Sequence, residues 1–307
     1  MKAAVLTGGV GGAKFVAGLE GCGLAPHVTA IVNTGDDFRH LGLHVSPDID
    51  TLLYTLSGKA NAAQGWGREG ETWSFLDAVR SLGGADWFRL GDGDLALHVL
   101  RSERLARGEP LSAVIAAFAR AWGIQARILP MSDDPVATFV ETDEGLLPFQ
   151  RYFVERQCAP KVNAIHFEGA ETARAAPGAA DAILSADAVF VAPSNPYLSI
   201  DPLLAVAEIA GALEETAAPV IVISPIVGGA AVKGPTAKIM GELGIAVDNE
   251  AIADHYSAFA DALLIDTSDA PPSALPSLAT QTLMRTADDR MRVAREAIAL
   301  AHGLKRR

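Results

Sequence analysis

A chain that opens with a strand, a run of glycines and then a helix is committed to one kind of sheet. Ala3-Ala4-Val5-Leu6-Thr7 is a short apolar run, and Gly8-Gly9-Val10-Gly11-Gly12-Ala13-Lys14 then places four glycines in five positions. A helix-like segment, Phe15 to Leu19, follows. A strand leaving in this way returns through a right-handed crossover to a parallel neighbour. Missing side chains let backbone N–H groups close on an anion, and the helix N-terminus adds partial positive charge. Gly9, Gly11, Gly12 and Lys14 are therefore candidates for a phosphate cradle. The loop fits neither familiar pattern: Ala13-Lys14-Phe15 lacks the Gly-Lys-Ser/Thr of a Walker loop, and Lys14 stands where the dinucleotide fingerprint needs its third glycine. The same glycines equally suit a turn that packs strand against helix.

Val28 to Val32 reads as the second strand of a βαβ unit and ends at Asn33-Thr34-Gly35-Asp36-Asp37. Ligands of such sheets collect beyond the carboxyl ends of the strands, so Asp36 and Asp37 belong near the glycine loop. Either can hold a hydroxyl or cap the turn. In Ser46-Pro47-Asp48-Ile49-Asp50-Thr51 the pattern makes Asp48 an N-cap and puts Asp50 in the first helical turn. Both carboxylates suit the helix dipole, and one of them suits Mg²⁺, a hard cation held by one or two carboxylates plus substrate phosphate.

The formal charge of −12 disfavours nucleic acid and anionic membranes as partners. Cys22 and Cys158, the two cysteines, lack metal-ligand spacing and point to a reducing cytoplasm. The start lacks the basic region of a signal peptide, and no run approaches the roughly 20 apolar residues of a membrane helix. At 307 residues the chain reads as one Rossmann-like α/β domain with a mostly parallel sheet in three layers.

Further along, Trp66 and Trp73 interleave with polar residues in a loop-rich stretch. Helices are expected from Leu95 to Leu105, carrying His98 and Arg101, and from Ser112 to Trp122. Ile128 to Val136 reads as an irregular polar loop containing Ser132 and Asp133. A hairpin, Ala137 to Glu141 with Leu146 to Phe149, interrupts the α/β pattern, so residues 128–160 are the candidate lid or subdomain. Strands resume at Val162 to Phe167, Ala188 to Ala192 and Val220 to Ile223. Ser194 and Asn195 follow the second of these, and Gly228, Gly229 and Lys233 follow the third, forming another glycine-and-lysine loop between strand and helix. An amphipathic helix runs from Asp288 to Leu300, ahead of a basic end, Lys305-Arg306-Arg307.

In order, Gly8 to Lys14, Asn33 to Asp37, Ser46 to Thr51, Pro130-Met131-Ser132-Asp133-Asp134, Pro193-Ser194-Asn195-Pro196 and Ser224-Pro225-Ile226-Val227-Gly228-Gly229 resemble the 2-phospho-L-lactate transferase (CofD/FbiA) family of coenzyme F-420 biosynthesis. The resemblance covers nearly the whole chain. It implies a Rossmann-like fold, a homodimer and Mg²⁺. It also implies transfer of a phospho-carboxylic acid unit (2-phospholactate, phosphoenolpyruvate or 3-phosphoglycerate) from a guanosine diphospho-linked donor to the deazaflavin alcohol Fo, with release of GMP. Under it Gly9, Gly11, Gly12, Lys14, Ser194, Asn195, Gly228, Gly229 and Lys233 cradle the diphosphate. Asp50 and Asp48 hold the metal, with Asp50 the first choice, and Asp36 or Asp37 orients the Fo alcohol. Asn33, Thr34, Asp48, Trp66, Trp73, Ser132 and Asp133 would line the Fo site. The chain departs from the family pattern at Gly93, where a basic residue is usual, and at Gln281, where Asp is usual. A relative of the same fold that binds a nucleotide sugar for regulation, without transfer, is the competing expectation. The missing third glycine disfavours a nicotinamide-dependent oxidoreductase.

Overall fold

The structure is a computed structural model that describes residues 1–232 and 234–304. Lys233 and the basic end, Lys305 to Arg307, lie outside the described residues. The chain begins β1 (Ala3–Thr7), α1 (Gly9–Leu19), β2 (Val28–Val32), the hairpin β3 (Phe38–His40) and β4 (Leu43–Val45), then α2 (Pro47–Leu56) and α3 (Ser74–Ser81). After α4 (Asp92–Ala106) and α5 (Leu111–Ala121) come β5 (Arg127–Pro130), β6 (Ala137–Thr142), β7 (Gly145–Pro148), β8 (Val162–Glu168), β9 (Ala188–Val191) and β10 (Val220–Ile223). The last strands are β11 (Ile226–Val227), β12 (Ala230–Ala231), β13 (Ala262–Asp266) and β14 (Ser277–Thr280), and the helix Ala287–Gly303 closes the fold.

Seven strands form one wholly parallel sheet in the order β14-β13-β10-β9-β1-β2-β5. Continuous apolar strands such as Ala-Ala-Val-Leu-Thr in β1 and Val-Ile-Val-Ile in β10 are buried on both faces, as a parallel sheet with helices on each side requires. Alternate residues serve opposite cores. Ala3 and Val5 pack with Phe15, Val16, Ile49, Val114 and Val293 on one face; Ala4 and Leu6 pack with Ile200, Leu203, Ile209 and Tyr256 on the other. A capping box of Thr286 and Asp289 starts the terminal helix, which lies against α1 so closely that a Cβ on Gly18 would strike the carbonyl of Arg290.

The chain builds β1, β2 and β5 outward in one direction, then crosses back to place β9 on the other side of β1. This reversal between β1 and β9 is the topological switch point of a Rossmann-like sheet, where a crevice opens at the strand ends. It decides which loops meet.

Val162 to Phe167 is a strand, as expected, and as β8 it pairs antiparallel with β6 to make a separate sheet, β7-β6-β8. Its outward Asn163 and Glu168 give it the half-exposed character of an antiparallel strand rather than a doubly covered parallel one. Arg127 to Pro130, read partly as irregular loop, is the edge strand β5. Among the described residues no single helix is long and apolar enough to cross a membrane.

Candidate active site

The loop after β1 and the turn after β9 are pressed together at the switch point. Gly8 N donates to Ser194 Oγ at 3.3 Å, and Ser194 Oγ donates back to the Gly8 carbonyl at 2.8 Å. A Cβ on Gly11 would collide with the Pro193 carbonyl, and one on Gly12 with the Thr7 hydroxyl. Gly11 thus lets the turn after β9 approach the first turn of α1, and Gly12 lets the end of β1 do so. Gly9 is different: its φ of +65° needs glycine, and the space beside it is open. Asn195 Oδ1 caps the turn by accepting from Tyr197 N (3.0 Å) and Leu198 N (3.2 Å), which leaves its buried Nδ2 without a partner.

Three carboxylates gather beside this loop. Ser46, rather than Asp48, is the N-cap of α2, because Pro47 takes the first helical position. Asp48 instead points out of the first turn, accepts from Gly9 N at 2.8 Å and from Asn33 Nδ2 at 3.1 Å, and so joins β2, α1 and α2. Asn33 is itself fixed by donating to the Leu198 carbonyl (3.3 Å) and accepting from Gly35 N (2.8 Å). Burial pushes the Asp48 carboxyl up to about 6, against the Asn33 and Gly9 hydrogen bonds. Burial and the Asp48 charge push Asp36 well above the carboxylate range. Asp37 is also raised by burial, and its contacts with His44 hold it back. Asp36 Oδ1, Asp37 Oδ1 and Thr34 Oγ1 are buried without a hydrogen-bond partner.

Orphaned, mutually repelling carboxylate oxygens are the donor set a hard cation relieves. Asp36 Oδ1 is an orphaned oxygen that feels the Asp48 charge, while both Asp48 oxygens are held by Gly9 N and Asn33 Nδ2. Among the described residues no group of three or more His, Cys, Asp or Glu side chains could hold a metal ion.

Asp50 belongs to a neighbouring network. Both its oxygens engage the guanidinium of the wholly buried Arg101, through Nη1 at 3.2 Å and through Nη2. His98 Nδ1 lies 3.6 Å from the same carboxylate, and burial lowers the imidazole to about 4. Tyr54 OH donates to Asp94 Oδ1 at 2.6 Å alongside. The four aspartates expected at one rim therefore divide, with Asp36, Asp37 and Asp48 at the open loop and Asp50 closed by Arg101.

The remaining expected residues are dispersed. Lys14 Nζ donates to the Met284 carbonyl at 2.8 Å. Gly228 and Gly229, with φ of +62° and +70°, form the tight turn of the β11–β12 hairpin, and their amides donate to Asp269 at 3.0 and 2.6 Å. Ser132 Oγ donates to the Arg174 carbonyl at 2.7 Å, and Asp133 accepts from Ser112 N and Oγ, both at 2.7 Å, to start α5. Trp66 is exposed, and Trp73 is covered by the Arg89 guanidinium 4.4 Å from its ring centre. At Gly93 the space a side chain would take is filled by Arg68, which pairs with Glu71 at 3.1 Å.

Sequence reasoning missed an aromatic cluster beside the carboxylates. Phe38 and His40 of β3 meet Trp87 and Phe88, with Phe38–Phe88 ring centres 4.8 Å apart and His40–Trp87 centres 5.2 Å apart. The Arg151 guanidinium lies 4.9 Å from the Trp87 ring centre, and His40 Nε2 is buried without a partner. The adjacent pair Trp87-Phe88 was the available signal; its meeting with Phe38 needed the third dimension. Gln150 Nε2, which donates to the Asp36 carbonyl at 3.1 Å, ties the β6–β8 subdomain to the same corner.

Fold and switch-point geometry define a Rossmann-like α/β protein. Residues 3–303 match the family described as 2-phospho-L-lactate transferase CofD. A phosphoenolpyruvate transferase of Streptomyces griseus is 41% identical, covering 99% of this chain and 100% of the relative. A 2-phospho-L-lactate transferase of Methanopyrus kandleri is 38% identical, with 99% of each chain covered. The crystal structure of protein BH3568 from Bacillus halodurans superposes with a TM-score of 0.65 over 97% of this chain and 99% of that one, at 16% identity, a likeness of fold. The chain belongs to the CofD family, transferases of coenzyme F-420 biosynthesis.

Proposed function

We propose that this protein transfers a phospho-carboxylic acid unit from a guanosine diphospho-linked donor to the ribityl hydroxyl of Fo, releasing GMP. The reading rests above all on Asp48, which accepts from the Gly9 amide at the switch point, with the unpartnered Oδ1 of Asp36 under the influence of its charge. The N-terminus of α1 offers amides and partial positive charge to the diphosphate. Asp36 and Asp48 would hold Mg²⁺, which when bound would supply charge neutralisation at the transferring phosphorus. Asp37 lies on the acceptor side. The cluster of Phe38, Trp87 and Phe88 gives the flat deazaflavin an apolar wall within the same corner, a better candidate than the exposed Trp66 or the covered Trp73.

Phosphoryl-type transfer with little covalent chemistry depends on positioning and electrostatics. The hydrogen bonds Gly9–Asp48–Asn33 and Gly8–Ser194 fix the site's walls before substrate arrives. Relatives at 41% identity bear the phosphoenolpyruvate name, so the phosphoenolpyruvate-linked donor is the first to test. Purified protein with Mg²⁺, Fo and each of three donors, carrying phosphoenolpyruvate, 2-phospholactate or 3-phosphoglycerate, should release GMP and form a phosphodiester of Fo with at least one. No GMP with any donor, together with tight binding of a UDP-sugar, would overturn the reading in favour of a binding protein.

A further inference from the structure

We infer that His44 is the group that takes the proton from the acceptor hydroxyl, with Asp37 as the positioning residue behind it. This inference rests on the transfer reading above. His44 stands on β4, and its Nε2 lies 3.0 Å from Asp37 Oδ2. Ser46 Oγ donates to the same oxygen at 2.7 Å, so that oxygen is an acceptor with two donors converging on it. With Nε2–H given to Asp37, the imidazole carries its lone pair on Nδ1. That atom is the ring nitrogen not engaged by Asp37, and the side chain keeps 23% of its surface exposed.

The backbone of His44 is held by interior groups. Its amide donates to Ser102 Oγ at 2.7 Å, Ser102 Oγ donates to the His98 carbonyl at 2.7 Å, and Arg101 Nη1 donates to the His44 carbonyl at 3.4 Å. A histidine needed only for packing has no use for a carboxylate behind one ring nitrogen. A carboxylate that fixes the tautomer and stabilises the imidazolium is how an imidazole is made a general base. The charged and titratable groups around it are Asp37 from the β2–β3 turn, Arg39 and His40 on β3, Arg101 and His98 on α4, and Asp50 behind Arg101.

In the step, the acceptor O–H bond breaks and its proton passes to Nδ1 while the acceptor oxygen bonds to phosphorus. The bond from phosphorus to the GMP oxygen breaks, and that oxygen leaves with the electron pair. The imidazolium then returns its proton to solvent.

The test compares wild type, His44→Gln and His44→Ala by GMP release under saturating donor and Mg²⁺. A kcat lower by about 100-fold or more is expected in both variants, with donor affinity by calorimetry within about threefold of wild type. Added imidazole should restore turnover to His44→Ala in proportion to the neutral imidazole present. That rescue separates proton transfer from a structural role. Should the alanine variant not fold, the glutamine variant, whose amide can still donate to Asp37, carries the kcat comparison. Wild-type transfer with unchanged kcat in a folded variant, or a loss that imidazole does not rescue in folded His44→Ala, overturns the role of His44 alone. No transfer by wild type with any donor overturns the underlying reading as well.

Discussion

Arg101, with no exposed surface, lays both terminal nitrogens of its guanidinium on the carboxylate of Asp50. The pair links α4 to the first turn of α2, two residues beyond Asp48. Removing one partner of a buried pair leaves an uncompensated charge, which costs far more than the intact pair contributes. Asp50→Asn should therefore lower unfolding stability by about 3–5 kcal/mol in urea, without metal or substrate present. The charge-free double variant Asp50→Asn with Arg101→Met should recover most of that loss. A metal-ligand role for Asp50 alone would instead leave the metal-free stability unchanged.

Asp48 accepts from the amide that opens α1 and faces the charge of Asp36. Asp48→Asn keeps much of the shape and removes the charge. GMP release should fall by about 100-fold or more, and half-maximal rate should require more Mg²⁺, while donor binding stays largely in place. Initial rates against Mg²⁺ concentration check this.

The aromatic wall gives a contrast between tryptophans. Trp87→Ala should raise the KM for Fo by about tenfold, the loss of about 1–1.5 kcal/mol of ring contact. Trp66→Ala, at an exposed ring, should change it by less than about twofold. Steady-state kinetics with varied Fo decide between them.

A half-buried and a buried group near Asp50 give opposite pH signatures. Burial raises Asp94 from 3.8 to about 6, so the folded state binds its proton more tightly than the unfolded chain. That contribution is complete below about pH 4 and is lost as pH rises through about 6. Burial lowers His98 from 6.5 to about 4, so its contribution is present above 6.5 and is lost as pH falls through about 4. Thermal unfolding of Asp94→Asn and His98→Asn between pH 4 and 7 should diverge from wild type in opposite directions, each by about 1–3 kcal/mol across the window.

Elements governed by neighbours in sequence were legible before any coordinates. The β1–loop–α1 unit, the helices of Pro47–Leu56 and Leu111–Ala121, and the hairpin of β6 and β7 all carry their periodicity and turn residues locally. The strand Val162–Glu168 was legible as a strand but not as a member of its sheet, since pairing is a long-range choice. The rule that strand ends gather ligands put Asp36 and Asp37 near the glycine loop, whereas Asp48, expected as an N-cap, accepts from the Gly9 amide.

Local pattern also determined what the glycines permit: a tight loop, a close-packed helix and amides free to meet an anion. It did not determine which glycine does which. Gly11 yields to the turn after β9 and Gly12 to Thr7 of β1, Gly9 faces open space, and Gly228 with Gly229 turns a hairpin onto Asp269. The same division holds for charge, because Asp48 and Asp50 stand two residues apart on one helix turn and face different neighbours. Only the crossing of the chain back to β9, and the packing of α4 on α2, set an amide before Asp48 and a guanidinium before Asp50. Backbone propensity acts over a few residues, whereas burial, charge pairing and an open site depend on what the fold brings from a hundred residues away.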